Sequence, residues 1–258
     1  MTWAFLQTGF LRGENNMLID SFLARHINDN EESPILRLYG WNPPAISIGY
    51  NQSLIEFDPD KLQQEGIDLV RRPTGGRAIL HWNELTYCVV IPHHRVSLHE
   101  IYHQINNALL AGVQLLGINA ELTSASNSTR ELYFESSSPA CFSSSAKSEI
   151  QYRNRKLIGS AQRRLGNVVL QHGSLLLGPQ HLQISSLMAN SSIGQQNEMR
   201  QHLIEHAIDA ETALQRTVTF EEAAFCIQKG FENTLGIQFI EPSQSLLEGL
   251  PVQLEYAK

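Results

Sequence analysis

The chain has 258 residues, of which 42% are apolar and 17% charged, and its formal net charge is −7. This length fits one large domain or two small ones and can bury a core without staples; the composition excludes a disordered chain, and the acidic balance argues against a general nucleic-acid binder. No apolar run approaches the ~20 residues needed to cross a bilayer, and MTWAFLQTGFLRGENN lacks a basic segment followed by an apolar one, so neither a membrane span nor a leader is expected. Cys88, Cys141 and Cys226 are too sparse for a disulfide framework, and no Cys/His spacing suits a metal, so a cytoplasmic protein without a metal site is expected.

In chain order, Asn16 to about His26 reads as an amphipathic helix. ILRLY (35–39) and AISIGY (45–50) read as strands around the Trp41-Asn42-Pro43-Pro44 turn. LVRRP rises toward Gly75-Gly76, AIL starts a strand beyond them, and LTYCVVIP (85–92) makes another. Ser97 and Glu100 form a capping box. The helix behind it carries Ile101, Ile105, Ala108, Gly112 and Leu115 on one face, and Gly117 is placed to end it. Residues 121–147 are serine-rich and read as a loop. EIQYRNRKLIGSAQRR reads as two strands around a turn near Asn154. Gly166-Asn167 then turns into VVLQHGSLLLG (168–178). From about 180 to 258 the chain is mostly helical, with Thr219 and Glu222 as a second capping box. Without a repeat or a linker, residues 1–258 read as a single domain of the α+β class with a mixed sheet.

The charge is uneven. Lys147, Arg153, Arg155, Lys156, Arg163 and Arg164 face one acid, Glu149, within a short stretch. With Arg71, Arg72 and Arg77 they make nine of the nineteen Lys and Arg, which points to a local anionic partner or to two solvated strands. Gly75 and Gly76 lack Cβ atoms and let a ligand approach the backbone, with arginines beside them able to bind an anion; the same pair also makes an ordinary turn. Lys156 begins a strand, with Ile158 and Ser160 on its face and Gly159 permitting close approach. It suits a proton donor at the edge of a cleft, or a lysine guarding an edge strand. Cys141 is the only cysteine in a polar loop, while Cys88 and Cys226 sit in apolar surroundings and read as core thiols.

RRPTGGRAILH, NELTY, KLIGSAQRR and LQHGSLLL, in that order, resemble the biotin/lipoate protein ligase and octanoyltransferase superfamily, and Asn16-Met17 and Asp20 resemble its N-terminal helix motif. The likeness spans about residues 14–178. It implies a mixed sheet flanked by helices, like the catalytic domains of class II aminoacyl-tRNA synthetases and biotin ligases. It also implies a substrate site formed by Arg71, Arg72, Gly75, Gly76, Arg77, His81, Gly159, Ser160, Ala161, His172 and Gly173, in which the glycine backbone lines the acyl tunnel, the arginines face a phosphate or an acidic carrier, and Lys156 lies near the carbonyl. Arg77 replaces the third glycine of the ligases, and Ala140-Cys141-Phe142 stands where they carry an Asn-Asp pair. The chain therefore most resembles the octanoyltransferases with a loop cysteine as nucleophile, which implies catalysis by Cys141 and Lys156. The implied partners are octanoyl-acyl carrier protein and a lipoyl domain or glycine cleavage H protein, with no cofactor. An ATP-dependent lipoate ligase, an amidotransferase fed by an acylated H protein, and a silent carrier-binding protein remain as alternatives. Trp82 replaces the aspartate that follows the motif histidine, so His81 is expected to lack the carboxylate that fixes its tautomer, and it is assigned to binding rather than catalysis.

Overall fold

The computed structural model describes residues 1–30, 32–93, 96–123 and 149–254. The chain order is β1 (Thr2–Leu11), α1 (Gly13–Asn30), β2 (Ile35–Trp41), β3 (Ala45–Ile48), α2 (Pro59–Gln64), β4 (Asp68–Arg71), β5 (Ile79–His81), β6 (Glu84–Pro92), α3 (Leu98–Leu115), β7 (Glu121–Leu122), β8 (Ile150–Tyr152), β9 (Arg155–Leu165) and β10 (Val168–Leu176). A 3₁₀ segment, Pro179–Leu187, precedes α4 (Ile193–His206), α5 (Ala210–Leu214), α6 (Phe220–Leu235), β11 (Gln238–Ile240) and α7 (Gln244–Glu248).

The main sheet has eight strands in the order β11-β1-β2-β6-β10-β9-β8-β7, and a second sheet runs β4-β3-β5. β1 pairs in parallel with β11 and β2, whereas β6, β10, β9 and β8 pair antiparallel, so the expected mixed α+β architecture is present. Side chains alternate across each strand, so the main sheet buries two faces. On one, Leu36, Leu38, Tyr87 and Val89 pack against α3 and α6. On the other, Tyr39, Cys88, Val90 and Leu170 pack against Ile19, Leu23 and Ile27 of α1. The small sheet adds a third cluster, in which Ile46, Ile48 and Leu80 meet Leu176 and Leu187.

Local chemistry explains most boundaries. Ser97 accepts from the Glu100 N–H while Glu100 reaches back to Ser97, which starts α3 as expected. Thr219 caps α6 through the Glu222 N–H, and the Glu222 carboxylate pairs with Arg216. Arg153 and Asn154 both have positive φ and make the tight turn from β8 to β9. Ile101, Ile105, Ala108 and Gly112 are buried as predicted, but Leu115 is 53% exposed. Leu109, Val113 and Leu116 are buried instead, because the buried arc of α3 is centred on their side and Leu115 falls beyond its edge. Three strands differ from the expectation: β1 occupies the N-terminal stretch, β7 stands at the start of the serine-rich stretch expected to be a loop, and β11 adds an edge strand to an otherwise helical tail. Among the described residues no helix is long and apolar enough to cross a membrane.

Candidate active site

Four strands present one row of side chains on the α1 side of the main sheet. Tyr39 pairs with Thr86, Thr86 with Ser174, and Ser174 with Gly159. Two residues along, Ala161 pairs with His172. Strand alternation brings Trp41, Glu84 and His172 to the same face as Tyr39, Thr86 and Ser174. The small sheet, carrying Ser47 and His81, and Met17 of α1 close over this row. Between them lies a narrow cleft whose walls include Arg72, His81, Gly159, Ser160, Ala161, His172 and Gly173. Seven residues expected at the site from motifs spread over a hundred positions thus line one space.

Each cavity histidine has a carboxylate behind it. His81 Nδ1 lies 2.7 Å from Glu84 Oε1 and its Nε2 lies 2.7 Å from Ser47 Oγ. The Nδ1–H donates to Glu84, which leaves Nε2 to accept from the serine. This corrects the expectation that His81 has no such partner. The carboxylate comes from Glu84, three positions on, because the chain turns at Trp82-Asn83 and brings the start of β6 back beside the imidazole. Glu84 Oε1 also accepts from Thr86 and, at 2.7 Å, from Ser174. His172 Nδ1 lies 3.0 Å from Asp20 Oδ2, and its Nε2 lies 2.6 Å from Thr74 Oγ1. Burial holds the His172 imidazole below its ordinary pKa despite Asp20, so its neutral form dominates.

Asp20 anchors this second chain. It is fully buried and pairs with Arg37, Nη1 to Oδ1 2.6 Å, while Tyr39 donates to its other oxygen at 2.9 Å. Arg37 also donates to Thr8 and to Asn16. Burial by itself would raise the Asp20 carboxyl; the hydrogen bond from His172 and the charge and hydrogen bond of Arg37 outweigh it and hold the group below the usual carboxylate range. A third chain runs behind β9, where Ser160 Oγ lies 2.7 Å from the Tyr87 hydroxyl and Gln171 links that hydroxyl to Asn106 of α3. Burial pushes Tyr87 well above the ordinary phenol value.

The two arginines before the glycines bind loop carbonyls, Arg72 from a buried position and Arg71 from an exposed one. Arg72 is 4% exposed and donates to the carbonyls of Ser47, Gly75 and Arg77. Arg71 donates to the carbonyls of Gly49, Tyr50 and Gln52. Both clamp the loops at the cavity mouth, and Arg72 also lines the wall. Gly76 has φ +94° and a Cβ there would lie 2.8 Å from Arg72 Nη2, so this position requires glycine. In the second basic stretch Arg163 donates to the Pro73 carbonyl at 2.7 Å and lies over the Tyr50 ring, and Arg164 donates to the Gly166 carbonyl. The close approach expected at Gly159 is demanded of its neighbour: a Cβ on Gly173 would stand 2.3 Å from the Gly159 carbonyl oxygen.

Lys156 is 5% exposed, not on a free edge: β9 lies between β10 and β8. Its Nζ lies 2.6 Å from Glu149 Oε1. It sits three residues before Gly159 of the cavity wall, ~10 Å along the strand. Cys141 lies outside the described residues. Of the two described cysteines, Cys88 is fully buried and Cys226 half-buried. Burial pushes both thiols up, away from the thiolate form. The residues that sequence reasoning did not place here include Ser47, Thr74, Glu84, Thr86, Ser174 and Glu149. Thr74, Glu84, Thr86 and Ser174 left a signal, because they lie inside the quoted motifs.

Residues 12–232 match the lipoyl protein ligase A/B catalytic domain, and the chain belongs to that family. It is 40% identical over 91% of its length to octanoyltransferase LipM of Symbiobacterium thermophilum, covering 87% of that protein. To octanoyltransferase LipM of Kyrpidia tusciae it is 36% identical, covering 96% of this chain and 92% of the relative. Among solved structures, the bipartite lipoate protein ligase of Thermoplasma acidophilum superposes with a TM-score of 0.78 at 21% identity, over 97% of this chain and 90% of that one. Lipoate-protein ligase A bound with ATP gives 0.75 at 22% identity, over 97% and 92%. These two likenesses establish the fold.

Proposed function

We propose that this chain is an octanoyltransferase of protein lipoylation that carries the acyl group as a thioester on Cys141. The observation that carries this reading is the 40% identity to an octanoyltransferase over nearly the whole chain. The cleft formed at Gly159 to Ala161 of β9, on the strand whose head carries Lys156, supports it. It is walled in part by Met17, Ile79 and Trp41, and its polar groups are occupied with one another. Such a space suits an acyl chain held by burial rather than by hydrogen bonds.

In this reading the Cys141 thiolate attacks the thioester of octanoyl-acyl carrier protein, and the carrier thiol leaves. Lys156 orients the carbonyl and exchanges the proton. A lysine of a lipoyl domain or of glycine cleavage H protein then attacks the acyl-enzyme. The C–N bond forms, the C–S bond breaks and Cys141 is restored as a thiol. Thioester exchange is nearly isoenergetic and thioester to amide is downhill, so the reaction runs without ATP. Residues 1–258 act as one catalytic unit, in the cytoplasm where the acidic carriers are.

The test is intact mass measurement after incubation with octanoyl-acyl carrier protein alone. One octanoyl group, mapped to Cys141 and released by neutral hydroxylamine, is expected. Modification that requires free acid and ATP would instead establish the ligase reading.

A further inference from the structure

The active-site lysine has a partner that the motif does not contain. Glu149 stands one residue before β8, the strand beside β9. Its backbone is held in place, since its carbonyl accepts from the Thr123 N–H at 3.1 Å and from the Thr123 hydroxyl at 3.3 Å. From there the carboxylate reaches Lys156, with Oε1 2.6 Å from Nζ. Glu149 is 3% exposed and Lys156 5%. A lysine withdrawn this far from water keeps its charge only where a counter-charge is supplied.

We propose that Glu149 is a positioning residue for the transfer reaction: it holds Lys156 as an ammonium at the head of β9, three residues before the cavity wall. This rests on the reading of Lys156 as the group that handles the carbonyl and the proton. Two features separate it from an ion pair kept for stability. The first is location, because the pair stands at the head of the strand whose next residues, Gly159 to Ala161, form the cavity wall. The second is the other carboxylate oxygen. Glu149 Oε2 is buried and has no hydrogen-bond partner among the described residues, an arrangement that a purely structural pair tends to avoid. Among the described residues nearby, Arg155 donates to the Ile204 carbonyl, Asp209 caps α5, Glu205 accepts from Gln201, and His206 is exposed and bonds to the His202 carbonyl, while Glu149 forms the ion pair with Lys156.

The test compares Glu149→Gln and Glu149→Asp with the unaltered enzyme, measuring kcat and KM for octanoyl-acyl carrier protein across pH. Glu149→Gln should lower kcat by about tenfold or more while KM stays within about twofold. If the active form is the ammonium, activity is lost as pH rises through its pKa. Removing the carboxylate disfavours the charged form, so the alkaline limb of the profile should move to lower pH by about one unit. Glu149→Asp should restore part of both, and it serves also if Glu149→Gln fails to fold. A near-normal kcat with an unmoved alkaline limb in the folded variants overturns the proposal. Lys156→Ala is run in parallel. If that variant retains full turnover, the reading of Lys156 fails; if it is inactive while Glu149→Gln keeps the parental profile, only the role of Glu149 fails.

Discussion

His81 lies face to face with Trp41: the ring centroids are 4.0 Å apart and the planes 8° from parallel. The stack closes a ring of contacts. Trp41 Nε1 donates to Thr86 at 2.7 Å, Thr86 donates to Glu84, and Glu84 holds the His81 imidazole. One wall of the cavity is therefore rigid, because each group is held by the next. Glu84→Ala strips His81, Thr86 and Ser174 of a common acceptor and leaves a cavity. It should lose roughly 3 kcal/mol or more of stability, read as a lower urea midpoint at unchanged slope.

The buried imidazoles make stability depend on pH. Burial holds His172 and His181 below the ordinary histidine value in the folded protein. The unfolded chain therefore binds more protons below about pH 6.5, and stability should decline as pH falls from there toward the folded values. The Asp20 carboxyl, held low, should add a second loss only below about pH 4. His172→Gln should reduce the first decline to the part due to His181 and, because His172 helps hold Asp20 low, shrink the second as well; urea midpoints measured against pH decide it.

Gly173 tests backbone proximity. A methyl there would stand 2.3 Å from the Gly159 carbonyl oxygen and 2.8 Å from the Tyr87 ring. Gly173→Ala should force β9 and β10 apart, at a cost of about 1–3 kcal/mol, and reduce acyl transfer. A crystal structure of the variant with unshifted strands and normal turnover would contradict this.

The cysteines should behave oppositely. Cys141→Ser should fold normally and lose turnover, because a hydroxyl is far less ionised than a thiol of pKa about 8.5. Cys88→Ser should keep turnover and lose about 1–3 kcal/mol from placing a hydroxyl in the core beneath α1. Thermal melts and octanoyl transfer assays on the two variants separate the roles.

Exposed charge should govern docking. Arg153 carries its guanidinium over Tyr152 and Arg153 itself is exposed, so Arg153→Glu should raise KM for the carrier more than it lowers kcat. Added salt should weaken carrier binding by the parental enzyme, since screening at physiological ionic strength acts within about 8 Å. Salt-independent KM values would argue against electrostatic docking.

The sequence by itself determined most of the local elements, the mixed α+β class and half of the cavity lining. Strand alternation, capping residues and turn glycines act over a few neighbours, and the ordered motifs point to one acyl site. Tertiary structure decided which groups pair. Asp20, Arg37 and His172 are distant in sequence and adjacent in space. Arg71 and Arg72 read as anion binders from their chemistry; the fold adds that both donate to loop carbonyls. Lys156 read as a residue at the edge of a cleft, because its burial depends on β8, β10 and the α4–α5 link closing around it. Glu149, counted in the sequence only as the lone acid in a basic stretch, becomes that lysine's counter-charge through pairing of β8 with β9, a choice of register that no local pattern encodes.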